Sequence, residues 1–141
     1  MSTSRIPASL LEAYRQTDYR VQAPRPFVMH IGQASQALCL LHRQYGVASS
    51  AFITASNPYS RLLTDQENAE RRQRLAEAVA HGGWRGIPGS GKHISGPWPA
   101  EASFLVLGID REEARRLGRA FEQNAIIFCG ADCVPELMLL R

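Results

Sequence analysis

The chain has 141 residues, of which 45% are hydrophobic and 21% charged, so its composition is that of one globular domain over residues 1–141 and excludes a disordered or fibrous chain. No apolar run approaches the roughly 18 residues of a spanning helix, and no signal-like segment follows Met1–Arg5, so we expect a cytoplasmic protein that does not enter a membrane. The formal net charge of +3 is too small an excess to indicate nucleic-acid binding.

Hydrophobic spacing and capping residues predict four helices. In the first, Leu10, Leu11 and Tyr14 recur at the three- and four-residue spacing of a helix face that packs against a core. Capping boxes at Thr64 and at Asp110 begin two others. The predicted helices cover residues 7–17, 34–45 and 65–81 and a segment that follows Asp110.

Apolar runs of strand length predict the sheet. Residues 103–109 and 125–129 are almost continuously apolar, which is typical of central strands buried on both faces. Prolines interrupt the extended segments at 19–21 and 27–31, so we expect those at a sheet edge. Further strands are predicted over 47–55, 84–87 and 134–140, and residues 88–100, rich in Gly and Pro, are predicted to form a loop.

The order of these elements predicts the fold class, α/β in the mixed α+β sense, with a single mixed parallel and antiparallel sheet of five to six strands packed by three to four helices. If the helices at 65–81 and after Asp110 are crossovers, the strands that flank each of them are parallel. The strands at 103–109 and 125–129 are then central neighbours or near neighbours. The same reasoning brings the loops at 54–60, 98–103 and 123–124 to one edge of the sheet.

The cysteine pattern predicts neither a disulfide framework nor a metal site. Cys39, Cys129 and Cys133 form an odd, sparse set in a chain without an export signal, so we expect reduced thiols. Structural zinc needs four Cys or His ligands, and the histidines show no paired spacing. We interpret Cys129 as a buried strand residue and Cys133 as a turn residue. No metal or cofactor is implied.

Residues 86–93, GIPGSGKH, match most of the phosphate-binding loop G-x-x-x-x-G-K-[ST]. His93 replaces the hydroxyl residue that ligates magnesium, and a turn-forming segment follows where that motif requires a helix. We therefore interpret the segment as a flexible loop with Lys92 exposed.

The helix at 65–81 carries several arginines that could follow a phosphate backbone. Glu67 with Arg71, and Glu70 with Arg74, are however four residues apart in the acid-first order of paired, solvated side chains. This spacing favours a solvent-exposed helix face over a nucleic-acid interface.

Polar residues are concentrated where the loops are predicted to meet. Side-chain amides donate and accept in one plane, which suits the edge of a heteroaromatic base or an amide, and Trp98 offers a stacking face. The free N–H groups at the start of the helix at 65–81 would accept an anion. Turn formation and helix capping are the alternative roles for such residues. The candidate site residues are Thr54, Asn57, Ser60, Asn68, Trp98, Glu101, Ser103, Gln123 and Asn124.

The segments FITASNP, Asn68, WPAEASFLVLGI and FEQNAI together resemble a bacterial family known as domain of unknown function 3293, over about residues 19–127. That family's pattern is T-A-x-N-P, a downstream Asn, W-x-x-E-x-S-F-L-V and a closing Q-x-A. Glu122 stands where the pattern has Gly. The resemblance implies a shared small cytoplasmic fold and supplies no catalytic roles. The matching positions are Thr54, Asn57, Pro58, Asn68, Trp98, Glu101, Ser103 and Gln123.

Two functions fit these residues. The first is a ligand-binding or catalytic pocket for a nucleotide-like or other planar polar metabolite, with Glu101 as general acid or base. The second is a non-enzymatic interaction module, in which the same residues fasten loops while the strand at 134–140 or the helix at 65–81 contacts a partner protein. No pattern in the chain decides whether it is an enzyme or sets its oligomeric state.

Overall fold

The computed structural model describes residues 6–96 and 98–141. In these ranges the helices are α1 (Ala8–Arg15), α2 (Gln36–Tyr45), α3 (Asp65–His81) and α4 (Arg111–Ala120). The strands are β1 (Thr17–Val21), β2 (Phe27–Met29), β3 (Ser50–Thr54), β4 (Arg85–His93), β5 (Glu101–Leu107), β6 (Ala125–Cys129) and β7 (Pro135–Leu139). They form one sheet in the order β2-β1-β4-β5-β3-β6-β7.

Every neighbouring strand pair in this sheet is antiparallel. The mixed α and β class is right, but the prediction of five to six strands in a mixed parallel and antiparallel sheet is wrong. The predicted crossovers are present: β3 and β4 flank α3 and run in the same direction, as do β5 and β6 around α4. Each crossover skips one strand, because β5 lies between β3 and β4 and β3 lies between β5 and β6. This interleaving is the split β-α-β arrangement of ferredoxin-like folds.

Helices cover both faces of the sheet. Successive residues of β3 point to opposite faces, so Ala51 and Ile53 pack in the cluster that contains α3 and α4, and Phe52 packs in the cluster that contains α2. The unbroken apolar run in β5 has the same cause, since Leu105 and Val106 belong to opposite clusters. The interpretation of this strand as buried on both faces is therefore right.

Strand β4 is much longer than predicted. Residues 88–93 were expected in a loop, but residues 88–91 pair with β5 and residues 89–93 pair with β1. Gly89 is required here, because a Cβ at this position would lie 2.3 Å from the carbonyl oxygen of Arg20. Lys92 is not a free loop residue either: its Nζ donates to the carbonyls of Gly96, at 2.9 Å, and Trp98, at 2.7 Å.

The expectation of reduced thiols is wrong for two of the three cysteines. Cys39 of α2 and Cys133 of the β6–β7 turn form a disulfide, with 5.5 Å between their Cα atoms. The two residues are 94 positions apart, so no local pattern indicates their proximity. Cys129 is a free, buried thiol of β6, as interpreted, and burial raises its pKa to about 12.

The described ranges contain neither a metal-binding cluster nor a membrane-spanning helix. Within residues 6–96 and 98–141, no three His, Cys, Asp or Glu side chains are grouped so as to hold a metal ion. No helix in these ranges is both long enough and apolar enough to cross a membrane.

Candidate functional site

A cavity of about 250 Å³ lies between α1 and the sheet. Of the nine candidate site residues, all but Asn68 line it. Asn68 lies behind Asn57, where its Nδ2 donates to the Asn57 Oδ1 at 2.9 Å and its Oδ1 accepts the Asn57 backbone N–H at 2.9 Å. The interleaved crossovers thus bring the three predicted loops together, and β5 and β6, predicted as central neighbours or near neighbours, are separated by β3 alone. That these residues bind a ligand stays a prediction.

Glu101, the proposed general acid or base, is the first residue of β5. Its Oε2 accepts hydrogen bonds from the Asn57 Nδ2 at 2.7 Å and from the Trp98 indole Nε1 at 3.2 Å. Burial raises the pKa of Glu101, and these two hydrogen bonds partly offset the rise. A carboxyl group with a raised pKa can accept and return a proton nearer to neutral pH than an exposed one.

Several candidate residues are fully engaged within the protein. Asn57 Oδ1 accepts the Leu63 backbone N–H at 2.9 Å in addition to the Asn68 amide. The hydroxyl of Thr54 donates to the Ala102 carbonyl at 2.8 Å, and that of Ser103 donates to the Glu101 carbonyl at 3.0 Å. These side chains hold the ends of β3 and β5, which is the loop-fastening role of the second interpretation.

The amides of Gln123 and Asn124 connect different loops. Gln123 Nε2 donates to the carbonyls of Ser56 and Phe121, each at 3.1 Å. Asn124 Nδ2 donates to the Ser60 hydroxyl at 2.9 Å, and its Oδ1 accepts from Arg141 at 3.0 Å. The side-chain amide donors of Gln123 and Asn124, which were expected to bind the edge of a ligand, therefore already donate to partners within the protein.

Much of the cavity wall was missed by the sequence interpretation. Leu10, Tyr14, Tyr19, Phe52 and Leu137 supply apolar and aromatic surface. Leu10 and Tyr14 were expected to pack against a core, yet none of the residues of α1 is buried, because this helix covers the cavity. The helical spacing was the available signal, but spacing does not distinguish a filled core from a covered cavity. Burial raises the Tyr14 pKa.

Arg71 has a structural role that its sequence spacing does not indicate. Its Nε donates to the Ala55 carbonyl at 2.6 Å and its Nη2 to the Phe121 carbonyl at 2.5 Å, while its Nη1 lies 3.5 Å from Glu122. The predicted pairing with Glu67 is therefore wrong, since Glu67 instead completes the capping box of α3. Arg71 joins the loop after β3 to the turn before β6.

Left-handed backbone conformations are concentrated at the cavity rim. Asn57, Tyr59, Ser60 and Glu122 have φ angles of 50°, 50°, 61° and 58°. The Tyr59 N–H donates to the Glu122 carbonyl at 2.7 Å, which links two of these turns. Glycine adopts this conformation without the steric cost of a Cβ. The Gly that the resemblance implies before Gln123 would therefore fit this conformation better than Glu122 does.

Comparison with known proteins identifies a protein family. A family model described as "Protein of unknown function (DUF3293)" matches residues 53–126, slightly more than half of the chain. No curated protein and no solved structure matches. The matched segment contains all nine candidate site residues, and it confirms the resemblance noted in the sequence. The chain therefore belongs to the DUF3293 family.

Proposed function

We propose that this chain binds a small molecule in the cavity beneath α1, with Glu101 contacting a polar group of the ligand. The observation that carries this proposal is a half-buried carboxyl group, held by Asn57 and Trp98, in a cavity with apolar and aromatic walls. Apolar concave sites with a few fixed polar groups are the usual form of small-molecule sites. A carboxyl group with a perturbed pKa in such a site supports the same assignment.

Cavity size restricts the ligand class. The volume of about 250 Å³ is below the range of about 300–1,000 Å³ common for drug-sized ligands. Among planar polar metabolites, this favours a single ring system of about nucleobase size over a complete nucleotide. For a ligand with a transferable proton, we assign to Glu101 the role of general acid or base.

A thermal-shift screen of small ring compounds tests this proposal. Ala13 lines the cavity, so Ala13→Phe fills it, and Arg15→Gln on the exposed face of α1 is the matched control. A ligand at about 100 times its dissociation constant stabilises by about 2.7 kcal/mol. We expect compounds that stabilise the wild type and Arg15→Gln but not Ala13→Phe. Failure of every compound, or equal stabilisation of Ala13→Phe, would contradict the proposal.

The edge of the sheet supports a second candidate function. Strand β7 lies at the end of the sheet, and its Leu139 side chain is 38% exposed. Such an edge can accept a strand from a partner protein. Leu139→Lys would place a charge on this edge without altering the cavity lining, so it would abolish partner binding that Ala13→Phe leaves intact.

A further inference from the structure

The charges around the cavity indicate which ligands it can accept. Glu101 is the only carboxylate among the described lining residues, and none of those residues is Lys or Arg. His93 is the only lining side chain in the described ranges that can carry a positive charge. An anionic ligand would therefore approach a carboxylate in a poorly solvated site without a fixed counter-charge, which is unfavourable.

The cationic side chains near the cavity already interact with other groups of the protein. Lys92 donates to the carbonyls of Gly96 and Trp98. Arg141 donates to Asn124 and lies over the Tyr59 ring, 4.2 Å from its centroid. At the start of α3, expected to accept an anion, the capping box already satisfies the N–H groups of Thr64 and Glu67. Phosphate recognition therefore has no support in these groups.

The same cavity is suited to a positive charge. Both hydrogen bonds that the described residues donate to the Glu101 carboxylate end on Oε2. Its other oxygen is therefore available to a ligand donor. Aromatic rings of Tyr14, Tyr19 and Phe52 line the wall, and aromatic faces attract organic cations as well as apolar rings.

From this juxtaposition we propose that the cavity selects a compact organic cation, a ring-sized amine or amidine, whose N–H groups bind Glu101 and whose body packs among the aromatic side chains. This inference deepens the proposed function and rests on it. It replaces the nucleotide-like ligand expected from the sequence with a base-sized, positively charged one.

Benzamidine, benzamide and benzoate test the inference, because they share a shape and differ in charge. We expect calorimetry to show that the wild type binds benzamidine at least about tenfold more tightly than benzamide, as a charge-assisted pair implies, and benzoate most weakly. Glu101→Gln should remove most of the preference for benzamidine. Binding of benzoate as tight as that of benzamidine, or a preference unchanged in Glu101→Gln, would overturn the inference.

The wild type also supplies a test that needs no folded variant at position 101. Benzamidine stays cationic from pH 5 to pH 8, whereas deprotonation of Glu101 creates its partner, so its affinity should rise with pH and that of benzamide should not. Among the described lining residues, His93, Tyr14 and Tyr19 are the other titratable groups. His93→Gln should keep the rise, because it leaves Glu101 unchanged. A flat profile for benzamidine would contradict the inference.

The two proposals can fail separately. If other ring compounds bind in a manner that Ala13→Phe abolishes while benzamidine does not bind, the choice of an organic cation is wrong and the cavity remains a binding site. If Ala13→Phe abolishes no binding of any compound, both proposals are wrong.

Discussion

At the scale of single residues, Glu101 is central because side chains from two separate loops hold its carboxylate. Trp98 is near in sequence, but Asn57 reaches the same carboxylate oxygen from a loop 44 positions away. The sequence could predict that these residues lie at one edge of the sheet, because strand directions decide it. It could not predict that the Asn57 side chain would form hydrogen bonds with Leu63, Asn68 and Glu101, because these bonds depend on side-chain geometry.

Glu101 should give the folding stability a characteristic pH dependence. Burial raises its pKa in the folded state above the ordinary value of 4.5. The resulting stabilisation is therefore complete below about pH 4.5 and is lost as the pH rises through the folded-state pKa. Glu101→Gln lacks this titration, so the free energy of unfolding of the variant should increase relative to the wild type between about pH 4 and pH 8. Urea unfolding at several pH values measures the difference, and parallel pH profiles would contradict the assignment.

Glu122 allows a test of how much the left-handed backbone conformation at the cavity rim lowers the free energy of unfolding. Its left-handed φ of 58° disfavours a residue with a Cβ, and its contact with Arg71 is a partly exposed ion pair of small energetic value. Glu122→Gly should therefore raise the free energy of unfolding by about 0.5–1 kcal/mol. Glu122→Ala is the control, since it loses the same ion pair and keeps the Cβ. Equal stabilities of the two variants in urea unfolding would argue against strain at this turn.

At the scale of elements, the sequence predicted best where local chemistry decides the structure. The capping box at Thr64 begins α3 where expected, and the apolar run at 125–129 is β6. The second half of β4 was missed because Gly and Pro are rare in strands, and Gly89 is needed only once β1 packs closely against it. The position of α1 over a cavity likewise follows from tertiary packing.

Arg71 shows how one helix fixes two loops of the site. Its side chain is 12% exposed, and Arg71→Ala would remove the side-chain donor of the Ala55 carbonyl and leave the Phe121 carbonyl with the Gln123 amide alone. We expect a loss of about 2–3 kcal/mol in the free energy of unfolding, as for other partly buried charged donors. Arg74→Ala, on the exposed side of the same helix, should change it by less than about 0.5 kcal/mol. Similar losses for both variants in urea unfolding would contradict the role of Arg71.

At the scale of the whole molecule, the topology explains what the sequence could and could not predict. Hydrophobic runs and crossover helices determine strand directions, and these were predicted correctly around α3 and α4. Which strands lie side by side depends on which strand inserts between the two that a crossover connects. No local sequence pattern determines that insertion. The insertion of β5 between β3 and β4 makes the sheet antiparallel and brings Thr54 beside Ser103.

The Cys39–Cys133 disulfide links two residues that are 94 positions apart, so it closes a long covalent loop of the chain. Disulfides typically form in oxidising compartments, and the cytoplasmic location expected from the sequence stays a prediction. Reduction with dithiothreitol should lower the free energy of unfolding by about 2–4 kcal/mol, because the bond restricts the unfolded chain. The Cys39→Ser, Cys133→Ser double variant should be insensitive to dithiothreitol. A wild type whose urea midpoint does not respond to the reductant would disprove this contribution.

The binding cavity is tested most directly through the two tryptophans of the chain. The Trp98 indole N–H donates to Glu101 at the cavity, whereas Trp84 packs in the cluster that contains α3 and α4. In a ¹⁵N-labelled sample titrated with benzamidine or with any compound selected by the thermal-shift screen, the Trp98 indole signal should shift in a saturable way. The Trp84 signal should stay in place, and Ala13→Phe should abolish the Trp98 response. An unchanged Trp98 signal, or equal shifts of both indoles, would contradict a ligand site at Glu101.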